Sequence, residues 1–316
     1  MNQNNQWPCV SIVTLNYNQL AITCEFLDST IKISYPNYEI IVVDNASKED
    51  PTAFIQNRYP HVRIIRNEQN LGFSGGNNVG IRAAVGDFYF IVNNDTEVTP
   101  NLIEELLKPF ALNPLIGIVS PKIRYFSHPN LIQYAGYNEI NPYTGRNQSH
   151  GAVKEDKGQY DNSSYTAYAH GAAMMVKKEV VEKVGMLPEL FFIYYEELDW
   201  SAHIRRAGFK IYYQASALIY HKESMTMGKE SVMKTYFQNR NRILFMRRNS
   251  SPGQFLLFIW FLIGVVIPSR IFRYTIRGQF THLNFFIKAM LWNLNGADKT
   301  NLSAIDILKP ITNGNK

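Results

Sequence analysis

Five short apolar runs punctuate the first 121 residues, with helical patterns between them: VSIVTLNY (10–17), EIIVVDN (39–45), VRIIRN (62–67), FYFIVNND (88–95) and IGIVSP (116–121). Runs this short and this continuously apolar read as strands buried on both faces. Strands that alternate with helices build a mostly parallel sheet covered on both sides. A helix is expected over about 19–31, and Pro51 suits the first turn of the next. NLGFSGGNN (70–78) reads as a glycine-rich loop opening a helix to about Ala84, and Pro100 starts another. The fold class is therefore α/β.

Three of these strands end in polar tips: Asn16 after the first, Asp44-Asn45 after the second, Asn93-Asn94-Asp95 after the fourth. In a parallel sheet these tips share one edge, and ligands of such sheets bind beyond the carboxyl ends of the strands. One polar tip is ordinary turn chemistry, because Asn and Asp bond their own backbone in turns. Three tips and a glycine loop on one edge point to a site.

Beyond residue 121 the pattern changes. Residues 122–167 are rich in Tyr, Asn, Gly and Pro and read as hairpins or an insertion. A strand turns into a helix over 169–181, FFIYYEELDW (191–200) is an aromatic loop running into an acidic helix start, and KIYYQASALIYH (210–221) is a strand ending on His221. A helix is expected over 229–249. The apolar run FLLFIWFLIGVVI (255–267) is stopped by Pro268 and falls short of the roughly 20 residues a spanning helix needs. Arg270, Arg273 and Arg277 then follow on one helical face, the pattern of a membrane-surface helix; a buried helix or a span are the alternatives.

Charge sharpens this reading. Net charge is +6, yet residues 229–316 carry 13 Lys/Arg against 3 Asp/Glu, so the preceding residues are net negative. A basic tail beside an apolar run favours anionic lipid over nucleic acid. Apolar residues are 46% of the chain, which excludes disorder as its overall state. The two cysteines, Cys9 and Cys24, lack metal spacing and read as reduced thiols. The first residues, MNQNNQWP, carry no secretory pattern, and 1–8 is expected to be disordered.

Seven pieces, in order, now carry a resemblance: SIVTLNYN, EIIVVDNAS, NLGFSGGNN, FIVNNDTEV, HGAAMMVKKEVVEKVG, YYEELDW and YFQNRNRILFMRRN. Over roughly residues 9–249 the chain resembles bacterial family 2 inverting glycosyltransferases of the GT-A fold, rhamnosyltransferase-like members above all. The resemblance implies a GT-A domain over 9–228 and a membrane-associating helical region over 229–316. It makes Asn16, Tyr17, Asp44 and Asn45 the base-side residues of a nucleotide-sugar site, with Gly72, Gly75, Gly76 and Asn77 crossing the nucleotide and Asn93 and Asn94 near the ribose. A carboxylate at Asp44 accepts from the N3–H of uracil or thymine, which favours UDP or dTDP. Asp95 and His221 are implied as ligands of a divalent metal, Mg²⁺ or Mn²⁺; the family's acidic motif reads Asn93-Asn94-Asp95 here, with one acid only.

The family's general base falls on Glu197, a Glu where the family has Asp; Glu196 and Asp199 are the neighbouring alternatives. Carboxylates this close raise each other's pKa, as does burial beside aromatic side chains. Asp199 pairing with Arg206 is a structural use for some of that charge. His170, Gly171 and Trp200 fall on the acceptor side, and Arg240 and Arg242 on a diphosphate or a lipid-linked acceptor. The expectation is an enzyme moving one sugar, by likeness rhamnose, from a UDP- or dTDP-sugar to a lipid-linked surface glycan. It would sit peripherally on the cytoplasmic face of the bacterial inner membrane, as a monomer or a homodimer. The competing readings are an inactive membrane scaffold and a sugar-nucleotide nucleotidyltransferase, though LNYNQL after the first strand lacks the latter's glycine loop.

Overall fold

The computed structural model describes residues 7–222 and 231–294; the disorder expected for 1–6 and the end of the basic tail, 295–316, lie outside them. Trp7 and Pro8 are held in place: Asn37 Nδ2 donates to Trp7 O at 2.8 Å, and the Trp7 ring meets Tyr35 edge-on. In chain order the elements are β1 (Val10–Asn16), α1 (Leu20–Thr30), β2 (Tyr38–Asp44), α2 (Thr52–Arg58), β3 (Val62–Arg66), α3 (Gly72–Ala83), β4 (Phe88–Val92), β5 (Thr96–Val98), α4 (Leu102–Leu112) and β6 (Ile116–Tyr125). There follow β7 (Leu131–Tyr134), β8 (Lys154–Glu155), β9 (Ser164–Thr166), β10 (Ala173–Lys177), α5 (Lys178–Val184), α6 (Glu196–Arg206), β11 (Lys210–His221), α7 (Val232–Asn249), α8 (Pro252–Phe261), α9 (Ile267–Ile276) and α10 (Phe280–Trp292).

One sheet runs in the order β3-β2-β1-β4-β10-β6-β11-β5. β1, β2, β3 and β4 are parallel, and β11 is parallel to β6. β10 is inserted antiparallel between β4 and β6, and β5 caps the edge antiparallel to β11. The parallel half matches its apolar runs, because both faces are covered. Phe26, Leu27, Ile55 and Leu102 pack on one side, Ile81, Trp200 and Ile204 on the other. The parallel register sets Asn16 beside Asp44 and aligns the ends of β1, β2 and β4, so the three polar tips do share an edge.

Two expectations are corrected. The glycine-rich stretch is not a loop: Gly72, Gly75 and Gly76 are the opening turns of α3. A Cβ on Gly76 would lie 2.7 Å from Asn45 Nδ2, and one on Gly80 would lie 2.3 Å from Val13 Cγ1. The glycines let a helix lie directly on β1 and β2.

The apolar tail is likewise not stopped by Pro268. Proline lacks an N–H and its ring crowds the carbonyl four residues back. The chain absorbs both with a π-helical turn over Leu262–Val266 and continues into α9. Pro252–Ile276 is thus one 25-residue helix holding an 18-residue stretch of mean hydropathy 2.3, mostly exposed and long and apolar enough to cross a membrane. At 1.5 Å per residue it measures about 37 Å.

Candidate active site

The polar tips are wired together beneath the sheet edge. Asn94 Nδ2 donates to Thr23 Oγ1 (2.9 Å), Thr23 Oγ1 to Asn16 Oδ1 (2.8 Å), and Asn16 Nδ2 to Asp44 Oδ1 (2.7 Å). Asp44 also accepts from the Ser47 hydroxyl and backbone N–H, and it has no exposed surface. Its carboxylate fixes the rim through these bonds. Asn45 donates to Gly72 O and accepts from Asn67, tying the start of α3 to the rim. Asn77 is buried and donates to Phe73 O. Gly75, Gly76 and Asn77 thus face protein, and a nucleotide-crossing role is corrected to helix packing. Tyr17 stands exposed at the rim.

The next tip is different. Asp95 Oδ1 is buried and receives no hydrogen bond from a defined donor. It lies 3.1 Å from His221 Nε2, brought there by the pairing of β11 with β5. The other ring nitrogen, Nδ1, lies 2.8 Å from Gln133 Oε1, which orients the ring. One carboxylate and one imidazole, the latter oriented by a second residue, fit a divalent ion that takes its remaining ligands from phosphate oxygens and water. Among the described residues no group of three or more His, Cys, Asp or Glu gathers there.

His170 packs against His221, its ring stacked on Tyr137 and tilted against Tyr134. Burial, with His221 second, drives its pKa down to about 3. It stays neutral, accepting from Ala172 N–H on Nδ1 (3.0 Å). Gly171 follows, and a Cβ there would touch Glu197 at 3.7 Å. The turn before β10 therefore spans from the Asp95–His221 pair to the acidic helix start.

That helix start is built under strain. Phe192, Tyr194 and Tyr195 all have positive φ, at 66°, 71° and 73°, costly for bulky side chains. Asn241 Nδ2 holds the loop: it lies 2.9, 2.8 and 2.7 Å from the carbonyls of Phe191, Ile193 and Tyr194. Arg240 donates to Phe191 O at 3.0 Å and to Asn241 Oδ1, and its guanidinium lies 4.4 Å from the Trp292 ring. The diphosphate role expected of Arg240 is corrected accordingly: it is buried bracing for this loop.

Three acids leave the loop, with different surroundings. Asp199 is fully buried and taken by Arg248 (3.0 Å) and Asn249 (2.6 Å). It is thereby removed as a base, and Arg206, its expected partner, donates to Asn249 instead. Glu196 is 4% exposed with one oxygen unpartnered, and burial, then the charge of Glu197, pushes its pKa well up. Glu197 is half-buried and lines a cavity between α6, α7 and α9. Burial raises it to about 7, while backbone N–H groups at the helix start pull back. Trp200 is also corrected: it is core, donating to Gly185 O.

Arg242 does reach a cavity, together with Arg146 from the 141–148 turn and Arg270, Arg273 and Arg277 from α9. Gln133 and Arg146 are the parts of this site that sequence reasoning did not assign, because each acts on a residue far along the chain, His221 and Arg242. Asn241, expected with Arg240 and Arg242 at a diphosphate or lipid-linked acceptor, holds the aromatic loop instead.

A family model described as Glycosyl transferase family 2 matches residues 11–185. The uncharacterized protein y4gI of Sinorhizobium fredii is 27% identical over 263 residues, 78% of this chain, but the chain spans only 28% of that protein's length. The N-acetylglucosaminyl-diphospho-decaprenol L-rhamnosyltransferase of Mycobacterium tuberculosis is 24% identical over 258 residues, covering 74% of this chain and 83% of that one. Among solved structures, the Pyrobaculum calidifontis mannosyltransferase PcManGT, in complex with GDP-Man and Mn²⁺, aligns with TM-score 0.57 at 17% identity, over 98% of this chain and 80% of its own. That likeness carries the fold, a mixed α/β architecture of the GT-A type. With the family model spanning both the polar edge of the sheet and the turn at His170–Gly171, the chain belongs to glycosyl transferase family 2.

Proposed function

We propose that this chain is an inverting glycosyltransferase that moves a single sugar from a UDP- or dTDP-sugar to a lipid-linked glycan at the cytoplasmic face of the bacterial inner membrane. The observation that carries it is Glu197: a half-buried carboxylate, raised to about 7, linked to the Asp95–His221 pair through the His170–Gly171 turn, where His170 packs on His221 and Gly171 lies against Glu197. A base with its pKa near working pH is what an acceptor hydroxyl requires. Glu197 takes the hydroxyl proton, the freed oxygen attacks the anomeric carbon, and the bond to the diphosphate oxygen breaks on the opposite face. The nucleoside diphosphate leaves and the configuration inverts. Asp95 and His221 would hold Mg²⁺ or Mn²⁺, which when bound neutralises the leaving diphosphate.

Rhamnose is supported by the name of the mycobacterial relative, and a metal by the Mn²⁺ of PcManGT. Residues 9–228 form the catalytic domain in this reading, and 229–316 the membrane-docking region. Calorimetry of UDP and dTDP binding, with and without Mn²⁺ or Mg²⁺, tests it. Metal should strengthen nucleotide binding at least tenfold in the wild type and not in Asp95→Ala. Binding of neither nucleotide under any condition overturns the transferase reading in favour of a scaffold.

A further inference from the structure

A cavity of about 550 Å³, which Glu197 lines and neither Asp95 nor His221 does, is bordered by α6, α7, α9, the start of α10 and the 141–148 turn. Arg146, Arg242, Arg270, Arg273, Arg277 and Lys234 line it, and Glu197 is its carboxylate. No carboxylate among the described residues lies within 4.0 Å of any of these six cations. Six gathered cations, none ion-paired and facing a single carboxylate, repel one another, an arrangement that an anion relieves. Arg242 shows the strain most directly. It is 3% exposed, its Nε donates to Thr144 O at 2.6 Å, and one terminal nitrogen is buried with no partner. Burial and the charges of Arg146 and Arg270 push its pKa down to about 10.

An adjoining hollow of about 660 Å³ shares Arg146, Arg242, Arg270 and Arg273 but is walled by Phe261, Val265 and Val266. The same helix continues outward as an exposed apolar face, with Trp260, Ile263, Phe272 and Ile276 each more than half exposed. Cationic at one end and apolar at the other, this surface matches an amphiphile. Neither Asp95 nor His221 lines the cavity, so the donor's diphosphate has its own place.

We propose that this cavity binds the diphosphate headgroup of the acceptor, with the acceptor's prenyl-type chain running along the helix 252–276. Arg270 and Arg273, one turn apart, and Arg242, with a spare N–H, would meet phosphate oxygens as guanidinium groups do, two hydrogen bonds at a time. The sugar that follows the diphosphate then reaches Glu197, which selects acceptors whose reacting hydroxyl lies one sugar from the anion. This rests on the reading of Glu197 as the base.

The test uses the full chain in neutral detergent, without donor, and calorimetry with three probes: farnesyl diphosphate, inorganic pyrophosphate and farnesol. Farnesyl diphosphate is expected to bind at least tenfold more tightly than either of the others. The Arg270→Ala/Arg273→Ala variant, changed at one half-buried and one exposed position outside the core, should lose at least tenfold in that affinity, while UDP and dTDP affinities stay within twofold. Arg273→Lys should fall between. Unchanged farnesyl diphosphate binding in the double variant overturns the site. Pyrophosphate binding as tightly as farnesyl diphosphate overturns the lipid assignment and leaves a free-anion site. If neither nucleotide binds but farnesyl diphosphate does so through these arginines, the transferase reading fails and the amphiphile site stands.

Discussion

Glu197 sits between opposed influences, burial against helix N–H groups, with Glu196, Tyr194, Tyr195 and Tyr137 as its titratable neighbours. Its base form gathers as pH rises through about 7, so kcat should climb through that range and level above it. Glu197→Gln should lose about 10²–10⁴-fold in kcat, the usual worth of a positioned base, and flatten the profile. Stability should move the other way. A carboxyl whose folded pKa lies above its unfolded value stabilises the fold fully below the unfolded pKa, and that contribution is lost as pH rises through the folded one. The melting temperature of the wild type should therefore fall between about pH 5 and 8, more than that of Glu197→Gln, measured by calorimetric scans at each pH. The sequence located this helix start, because acids cluster there. It did not sort the three acids: Asp199 is claimed by Arg248 and Asn249, about fifty residues on, and nothing local announces that claim. The Asp95–His221 pair was legible only through the resemblance, since β11 and β5 meet late in the sheet.

Among the elements, the parallel half was readable because every strand there is buried on both faces and spelled as one apolar run. β10 was not, because nothing in AMMVK distinguishes antiparallel insertion between β4 and β6 from a further parallel strand. The glycines of α3 misled for a physical reason: glycine suits a phosphate loop and close helix–sheet contact equally, and here Val13 and Asn45 decide for contact. α7 was expected to present its basic motif to a ligand, but Arg240 and Asn241 turn inward to the strained aromatic loop. Removing that hold is informative. Asn241→Ala leaves buried carbonyls unpaired, at a cost of about 1–3 kcal/mol. Because Glu197 follows the released loop directly, kcat should drop at least tenfold while nucleotide affinity stays near that of the wild type. Steady-state kinetics beside nucleotide calorimetry would read both; equal loss in each would show general unfolding instead.

For the whole molecule, charge and hydropathy divide along the chain: a net-negative first part and a basic tail whose helix 252–276 exposes Leu256, Trp260 and Ile263. Vesicle co-sedimentation reads the consequence. Binding should be stronger to anionic than to neutral vesicles and weaken with salt. Trp260→Asp with Ile263→Asp should reduce it more than tenfold, since each carboxylate placed in hydrocarbon costs about 2.5–3.5 kcal/mol. The tail's composition was plain in the sequence. Its length as a helix was not, because a π turn carries the chain through Pro268.

The brace on Arg240 reaches further than the loop it serves. Trp292 covers its guanidinium, and Asn293 Nδ2 donates to its backbone carbonyl at 3.1 Å. Those two residues lie beyond the apolar helix, whereas the loop they help secure lies before it. The apolar helix and the acidic helix start are therefore not severable modules. Cropping the chain after Asn249 to obtain a more soluble enzyme would remove the hydrophobic helix and the far end of the brace in a single cut.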